Sequence, residues 1–211
     1  MNSDVRAEFE KISKFWIDLG VDGFRMDAAM HYEEGSTEKN SEILNWLYTY
    51  CTSLKPDFYM VSEVWANKST IADYYASETP SMFNFDTSSA EGCIARAAMG
   101  TYSAQRFVEC MLQYQEDYSS ENKNYIDAPF LTNHDQVRIA NNLQGNITNM
   151  KMAAGLLMMM NGSPFVYYGE EIGMESQGQE DENKRLPMRW SDEDTTGMTN
   201  GPEGCKNDIE Y

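Results

Sequence analysis

Arg25 and Asp27 stand two residues apart in the run Val21-Asp22-Gly23-Phe24-Arg25-Met26-Asp27. In an extended strand that spacing puts both side chains on one face, about 7 Å apart along the chain. Glu63 closes a second β-rich run, Val61-Ser62-Glu63-Val64-Trp65, and Asn133-His134-Asp135 closes another. Glu170-Glu171 follows Tyr168-Gly169 after a further one. Carboxylates gathered at one mouth repel each other, which raises the pKa of at least one, while a neighbouring guanidinium keeps another ionised. Arg25 fits the second role toward Asp27. Glu63 has no basic neighbour in sequence and fits the first. One ionised and one protonated carboxyl is what glycoside cleavage requires. A single acid of this kind is more often a helix cap or half of a salt bridge. Asp27, Glu63 and Asp135 at three strand ends argue against that reading for all of them together. Both histidines of the chain, His31 and His134, also fall in these loops.

The elements that position these residues are legible from periodicity. Val5, Phe9, Ile12, Trp16 and Leu19 recur at helical spacing, with Ser3 or Asp4 to cap the start and Gly20 to end it. A strand follows at 21–27, then a helix over Glu38 to Ser53 that Lys55-Pro56-Asp57 breaks. Phe58 to Trp65 predicts a strand, Ile71 to Ser77 a helix, and Met82 to Asp86 a short strand. Helices are predicted over Ser89 to Met99, Ala104 to Tyr118 and Met150 to Met160, with strands at 129–133 and 164–168. Alternating strands and helices imply a parallel sheet. Five strands suit either a doubly wound sheet or part of a (β/α)8 barrel, and in both the ligand sits at the carboxyl ends of the strands.

Composition narrows the partners. A formal charge of −18 argues against nucleic acid and against an anionic membrane surface. No apolar run reaches the ~18 residues needed to span a bilayer. Met1-Asn2-Ser3-Asp4 has neither the basic nor the apolar region of a signal peptide. Cys51, Cys93, Cys110 and Cys205 are far apart, so buried free thiols are expected rather than a zinc site or a disulfide scaffold. Met158-Met159-Met160 reads as helix core, Tyr167 and Tyr168 as packing residues, Trp65 as a ring able to stack on sugar, and Glu180-Asp181-Glu182 as a solvated loop.

Together these residues resemble the α-amylase family of glycoside hydrolases, family 13. Gly23-Phe24-Arg25-Met26-Asp27-Ala28-Ala29-Met30-His31 resembles its fourth-strand motif. Ser62-Glu63-Val64-Trp65 resembles the fifth-strand motif, and Phe130-Leu131-Thr132-Asn133-His134-Asp135 the seventh. The stretch from Gly162 to Met174 resembles the eighth strand and its loop, with weaker similarity at Arg185-Leu186-Pro187-Met188. The resemblance implies an α/β fold, a partial TIM (β/α)8 barrel of about five parallel strands alternating with helices over residues 1–175, followed by a polar loop region at 176–211.

It implies Asp27 as nucleophile, Glu63 as acid and base, and Asp135 as transition-state stabiliser. Arg25, His134, His31 and Asn133 would be substrate-binding. The His31 backbone carbonyl would join a structural Ca2+ site. The expected reaction is cleavage of α-1,4 bonds in starch or maltooligosaccharides with retention, which requires Asp27 and Glu63 carboxyls about 5–5.5 Å apart. The alternatives are an α-1,6-acting or transglycosylating relative, or an inactive carbohydrate-binding remnant. Ala28 leans toward the α-1,4-acting members, and Met30 stands where many members have Lys. The first strand matches the fourth of the barrel. Three strands, the Asn- and His-bearing third-strand motif and a C-terminal β-sandwich are therefore expected on sequence outside this chain. By itself the chain is expected to be poorly stable, because an open section exposes strand edges. A polymeric substrate would place the parent enzyme outside the cell.

Overall fold

The computed structural model describes residues 2–188 and residue 190. They separate into two interleaved compact units. The first holds residues up to Phe85, Glu109–Ala128 and Asn161–Ser163. The second holds Asp86–Val108, Pro129–Met160 and the described part from Pro164 onward.

In the first unit the helical periodicity of the opening segment forms α1, Ser3–Asp18. Its cap is Asn2 rather than Ser3 or Asp4: the Asn2 carboxamide oxygen accepts from the Asp4 N–H at 2.7 Å. Gly20 ends it with a φ of +99°, a left-handed conformation that favours glycine. β1, Gly23–Met26, follows, then α2, Thr37–Leu54, and β2, Tyr59–Ser62. β1 and β2 are parallel, with Arg25 opposite Val61 and Met26 opposite Ser62. Gly23 is needed at the entry to β1, since a Cβ there would lie 2.2 Å from the Tyr59 carbonyl oxygen.

α3, Lys68–Tyr75, leads to β3, Ser81–Asn84, which pairs in parallel with β2. The two-residue β4, Ala128–Pro129, completes the order β1-β2-β3-β4. Leu47, Cys51, Phe58 and Met60 form a buried cluster between α2 and the sheet, with Ile17, Phe24 and Trp46 packed against it. Cys51 is a free, buried thiol, as Cys93 is in the second unit. Cys110 is half-buried and free, and Cys205 lies outside the described residues.

α1 does not bury the apolar stripe that its spacing defines. It meets α2 through Arg6, Glu10, Ser13 and Ile17: Arg6 lies over the Trp46 ring at 5.0 Å, and the Trp46 indole donates to Glu10 at 3.1 Å. The apolar stripe of Val5, Phe9, Ile12, Trp16 and Leu19 is instead 43% to 65% exposed.

The second unit contains α4, Cys93–Ala98, packed on α7, Ile147–Met159. Between them in sequence lie α5, Ala104–Glu121, within which the chain passes to the first unit, and α6, Ile139–Asn142. The strand expected at 164–168 is reduced to a single parallel bridge, Phe130 with Phe165. The Ser163 and Phe165 N–H groups donate to the Asp127 and Pro129 carbonyls at 2.8 and 2.9 Å, but the next N–H on that side, that of Tyr167, donates to the Glu170 carboxylate at 3.1 Å. The methionine run also differs. Only Ala153 and Leu157 of α7 are buried, so Met158 and Met159 face outward. Glu180 to Glu182, expected as a solvated loop, opens α8, Asp181–Lys184, where Asp181 pairs with Lys184 at 3.1 Å. No helix of the described residues is long and apolar enough to cross a membrane.

Candidate active site

In the first unit β1 and β2 end side by side, and their register decides the chemistry. Because Met26 lies opposite Ser62, the next residues, Asp27 and Glu63, leave the sheet together. Arg25 reaches both. Its Nη1 donates to Asp27 Oδ1 at 2.6 Å and its Nη2 to Glu63 Oε1 at 2.7 Å. Glu63 has no basic neighbour in sequence, but the fold supplies one across the sheet from a residue 38 positions earlier. The Ala28 N–H donates to Glu63 Oε2 at 3.1 Å, so both oxygens of Glu63 are engaged. That amide is aimed by an unusual turn: Ala28 is left-handed, with φ 44° and ψ 45°. The Ala29 N–H then donates to the Glu63 carbonyl at 3.0 Å. Glu63 is nearly buried, its side chain 10% exposed, whereas Asp27 is 74% exposed and open to a ligand.

The loop after Ala28 is held by Asn40 of α2. Its amide donates to the carbonyls of Met30 at 2.9 Å and Glu33 at 3.2 Å. His31 ends a single 3-10 turn with its side chain outward, 3.6 Å from Glu34. Tyr32 is a residue the sequence reading did not single out. Burial, and next the charge of Asp27, push its phenol up to about 12, so it stays a neutral hydroxyl beside the carboxylates. Nothing in its spacing marks it, since it belongs to a loop without periodicity. Trp65 stacks on Phe85, with centroids 5.0 Å apart and planes at 17°, and is 52% exposed.

In the second unit, Asn133, His134 and Asp135 form one turn. Asn133 Oδ1 accepts from the Asp135 N–H at 2.9 Å, so its side chain shapes the turn. His134 Nε2 lies 3.2 Å from Asp135 Oδ2. Asp135 Oδ1 accepts from Arg185 Nη2 at 2.6 Å. Tyr167 and Tyr168 pack as expected: the guanidinium of the fully buried Arg138 lies over their rings at 4.4 and 4.6 Å. Glu170 is half-buried, accepts from the Thr132 hydroxyl and the Tyr167 N–H, and is pushed up to about 7 by desolvation.

Parallel strands with intervening helices, and acids at their carboxyl ends, are the class of α/β protein to which doubly wound sheets and (β/α)8 barrels belong. The comparisons make the class specific. The model of the family described as alpha amylase, catalytic domain, matches residues 1–208. The chain therefore belongs to the α-amylase catalytic-domain family. It is 42% identical over 196 residues to Alpha-amylase 3 of Dictyoglomus thermophilum, covering 91% of this chain and 37% of that protein. To Alpha-amylase SusG of Bacteroides thetaiotaomicron it is 34% identical, covering 89% of this chain and 28% of that one. The solved structure of Eubacterium rectale Amy13B superposes with a TM-score of 0.92 at 38% identity, covering all of this chain and 42% of that one. The fold is thus part of a (β/α)8 barrel, and the chain spans about two-fifths or less of these relatives.

Proposed function

We propose that this chain carries the catalytic carboxyls of a retaining α-glucan hydrolase. One observation carries the reading: a single guanidinium, that of Arg25, binds Asp27 and Glu63 together at the ends of adjacent parallel strands. Two carboxyls sharing one guanidinium support the short spacing of retaining enzymes, about 5–5.5 Å, rather than the wider gap that admits a water between them. Asp27, exposed and oriented by Arg25, attacks the anomeric carbon and forms the covalent glycosyl-enzyme. Glu63 protonates the leaving oxygen and then, as base, activates the water that releases the sugar. Its two oxygens accept from Arg25 Nη2 and from the Ala28 N–H, which fix the orientation of the carboxyl. Asp135 stabilises the oxocarbenium-like transition state through sugar hydroxyls. His134, His31 and Asn133 contact substrate, and Trp65 offers a stacking face beside Glu63.

The substrate class is α-1,4-linked glucan, starch or maltooligosaccharide. Relatives named for α-amylase activity support it. A 4-alpha-glucanotransferase of Thermotoga maritima at 29% identity and an Oligo-1,6-glucosidase of Bacillus cereus at 25% keep transfer and α-1,6 cleavage as the other outcomes. A structural Ca2+ is proposed too. Such an ion takes oxygen donors, carbonyls included, which suits His31. Among the described residues no group of three or more Asp, Glu, His or Cys side chains adds to that carbonyl.

The experiment uses the full polypeptide in which the chain occurs, with maltoheptaose as substrate. The expected products are shorter maltooligosaccharides of α-anomeric configuration, and Glu63→Gln lowers turnover at least about 100-fold. Near-normal turnover in Glu63→Gln sinks the assignment. Products longer than the substrate would show transfer. Dialysis of the same preparation against EDTA lowers its melting temperature if calcium is structural.

A further inference from the structure

The segment after Tyr168 returns to the loop of Asp135. α8 ends at Lys184, and Arg185 follows it before Leu186-Pro187. Arg185 Nε donates to the His134 carbonyl at 3.1 Å, and its Nη2 donates to Asp135 Oδ1 at 2.6 Å. Lys184 Nζ donates to the Asp135 carbonyl at 3.1 Å. Asp181 holds the two cations from the other side, 3.1 Å from Lys184 and 3.4 Å from Arg185. The guanidinium therefore grips one backbone carbonyl and one carboxylate oxygen at once, which fixes both the place and the rotation of the Asp135 carboxyl. Oδ2 is left facing His134.

The strap is itself anchored. The Tyr167 hydroxyl donates to the Lys184 carbonyl at 3.2 Å and the Tyr168 hydroxyl to the Leu186 carbonyl at 2.6 Å. These are the rings that pack on Arg138, three residues beyond Asp135. The Arg138 N–H donates to Ser176 Oγ at 2.9 Å. One arginine thus ties down the far end of the 133–138 loop, and the other clamps the side chain it presents.

We propose that Arg185 is a positioning residue that holds Asp135 in its productive orientation, and that residues 181–187 form a strap completing the site. This rests on the reading of Asp135 given above. A surface salt bridge contributes little by itself. Here the consequence is geometric, because a misplacement of about 1 Å in a catalytic group costs on the order of 100-fold in rate.

The test sets Arg185→Ala and Arg185→Lys beside Asp135→Asn, in the full polypeptide with maltoheptaose. Asp135→Asn is expected to abolish turnover. Arg185→Ala lowers kcat by about 100-fold with KM changed less than about threefold. Arg185→Lys falls between, since one ammonium cannot serve both acceptors. Added guanidinium ion restores part of the activity of Arg185→Ala, a rescue that a merely structural role would not give. If Asp135→Asn retains turnover, the reading of the site fails and the clamp with it. If Asp135→Asn is inactive while Arg185→Ala keeps the parent kcat, the clamp alone is overturned. A rise in kcat/KM for Arg185→Ala also overturns it, since the arginine would then be an obstruction over Asp135. Hydrogen exchange supplies a readout independent of turnover. The amides of Asp135 and Gln136, bonded to Asn133, exchange faster in Arg185→Ala and in Tyr168→Phe, and unchanged rates in both contradict the proposal.

Discussion

Arg25 divides its guanidinium between Asp27 and Glu63, and half of that arrangement is legible in the sequence. The Arg25–Asp27 contact follows from a two-residue strand spacing. The Arg25–Glu63 contact does not, because 38 residues intervene and only the register of β1 on β2 brings them together. For the same reason Tyr32 is silent in the sequence, since its neighbours are chosen by a turn around a left-handed Ala28. A shared fork makes a specific demand on residue type. Lysine keeps the charge but is a point donor on a flexible stem, and it cannot bridge two carboxylates in a fixed plane. Arg25→Lys is therefore expected to lower kcat/KM for maltoheptaose by about 10- to 100-fold while leaving the fold intact. Retention of more than half the parent kcat/KM would show that the fork is not needed.

At the scale of elements, periodicity locates the longer helices and the strand segments, but neither the short α6 and α8 nor what covers the long ones. α1 is the clearest case. Its spacing announces a helix with an apolar stripe, yet the face that packs on α2 carries Arg6, Glu10, Ser13 and Ile17. Sequence pattern tells where a helix has two faces, not which neighbour each face meets. α7 misleads in the opposite way. It is apolar nearly all round, so no stripe is defined, and the methionines assigned to the core turn outward. The shortened fifth strand is a local matter, since the Glu170 carboxylate takes the Tyr167 N–H that would extend the ladder. The exposed stripe of α1 has a consequence for the chain in solution. Phe9, Phe15, Trp16 and Leu19 present an apolar surface of the kind that drives association. The 211-residue chain is expected to elute as a concentration-dependent oligomer or aggregate, and Phe15→Glu with Leu19→Glu should shift it toward monomer. A single monomeric species at 100 µM by light scattering, taken as about the upper working concentration, would contradict this.

At the scale of the whole molecule, each unit holds one partly or fully desolvated carboxyl that the proposed chemistry does not use. Asp127, just ahead of β4, accepts at Oδ2 from the Asn84 amide at 3.0 Å, while its Oδ1 is buried without a partner. Glu170 lies under the Tyr167 turn of the other unit. Burial raises both, each to about 7. In the unfolded chain the same groups release their protons near about 3.9 and 4.3. Between those values and 7 the folded protein holds protons that the unfolded chain has lost. Stability from these groups is thus fully present below about pH 4 and is lost as pH rises toward 7, at up to about 1.4 kcal/mol per pH unit for each group. Above 7 both states are ionised and the dependence flattens. Asp57 and Asp181 are lowered by hydrogen bonds to Lys55 and Lys184, and they act in the other direction, below about pH 4. The charge of −18 also favours mild acid, because protonation relieves self-repulsion. The melting temperature should therefore rise as pH falls from 7.5 to 5.5, and the local share of that rise is separable. Asp127→Asn with Glu170→Gln removes the two buried titrations and leaves the general charge term, so the slope should flatten without vanishing. An unchanged slope in the double variant would assign the whole effect to net charge and leave these two carboxyls ionised in the folded state.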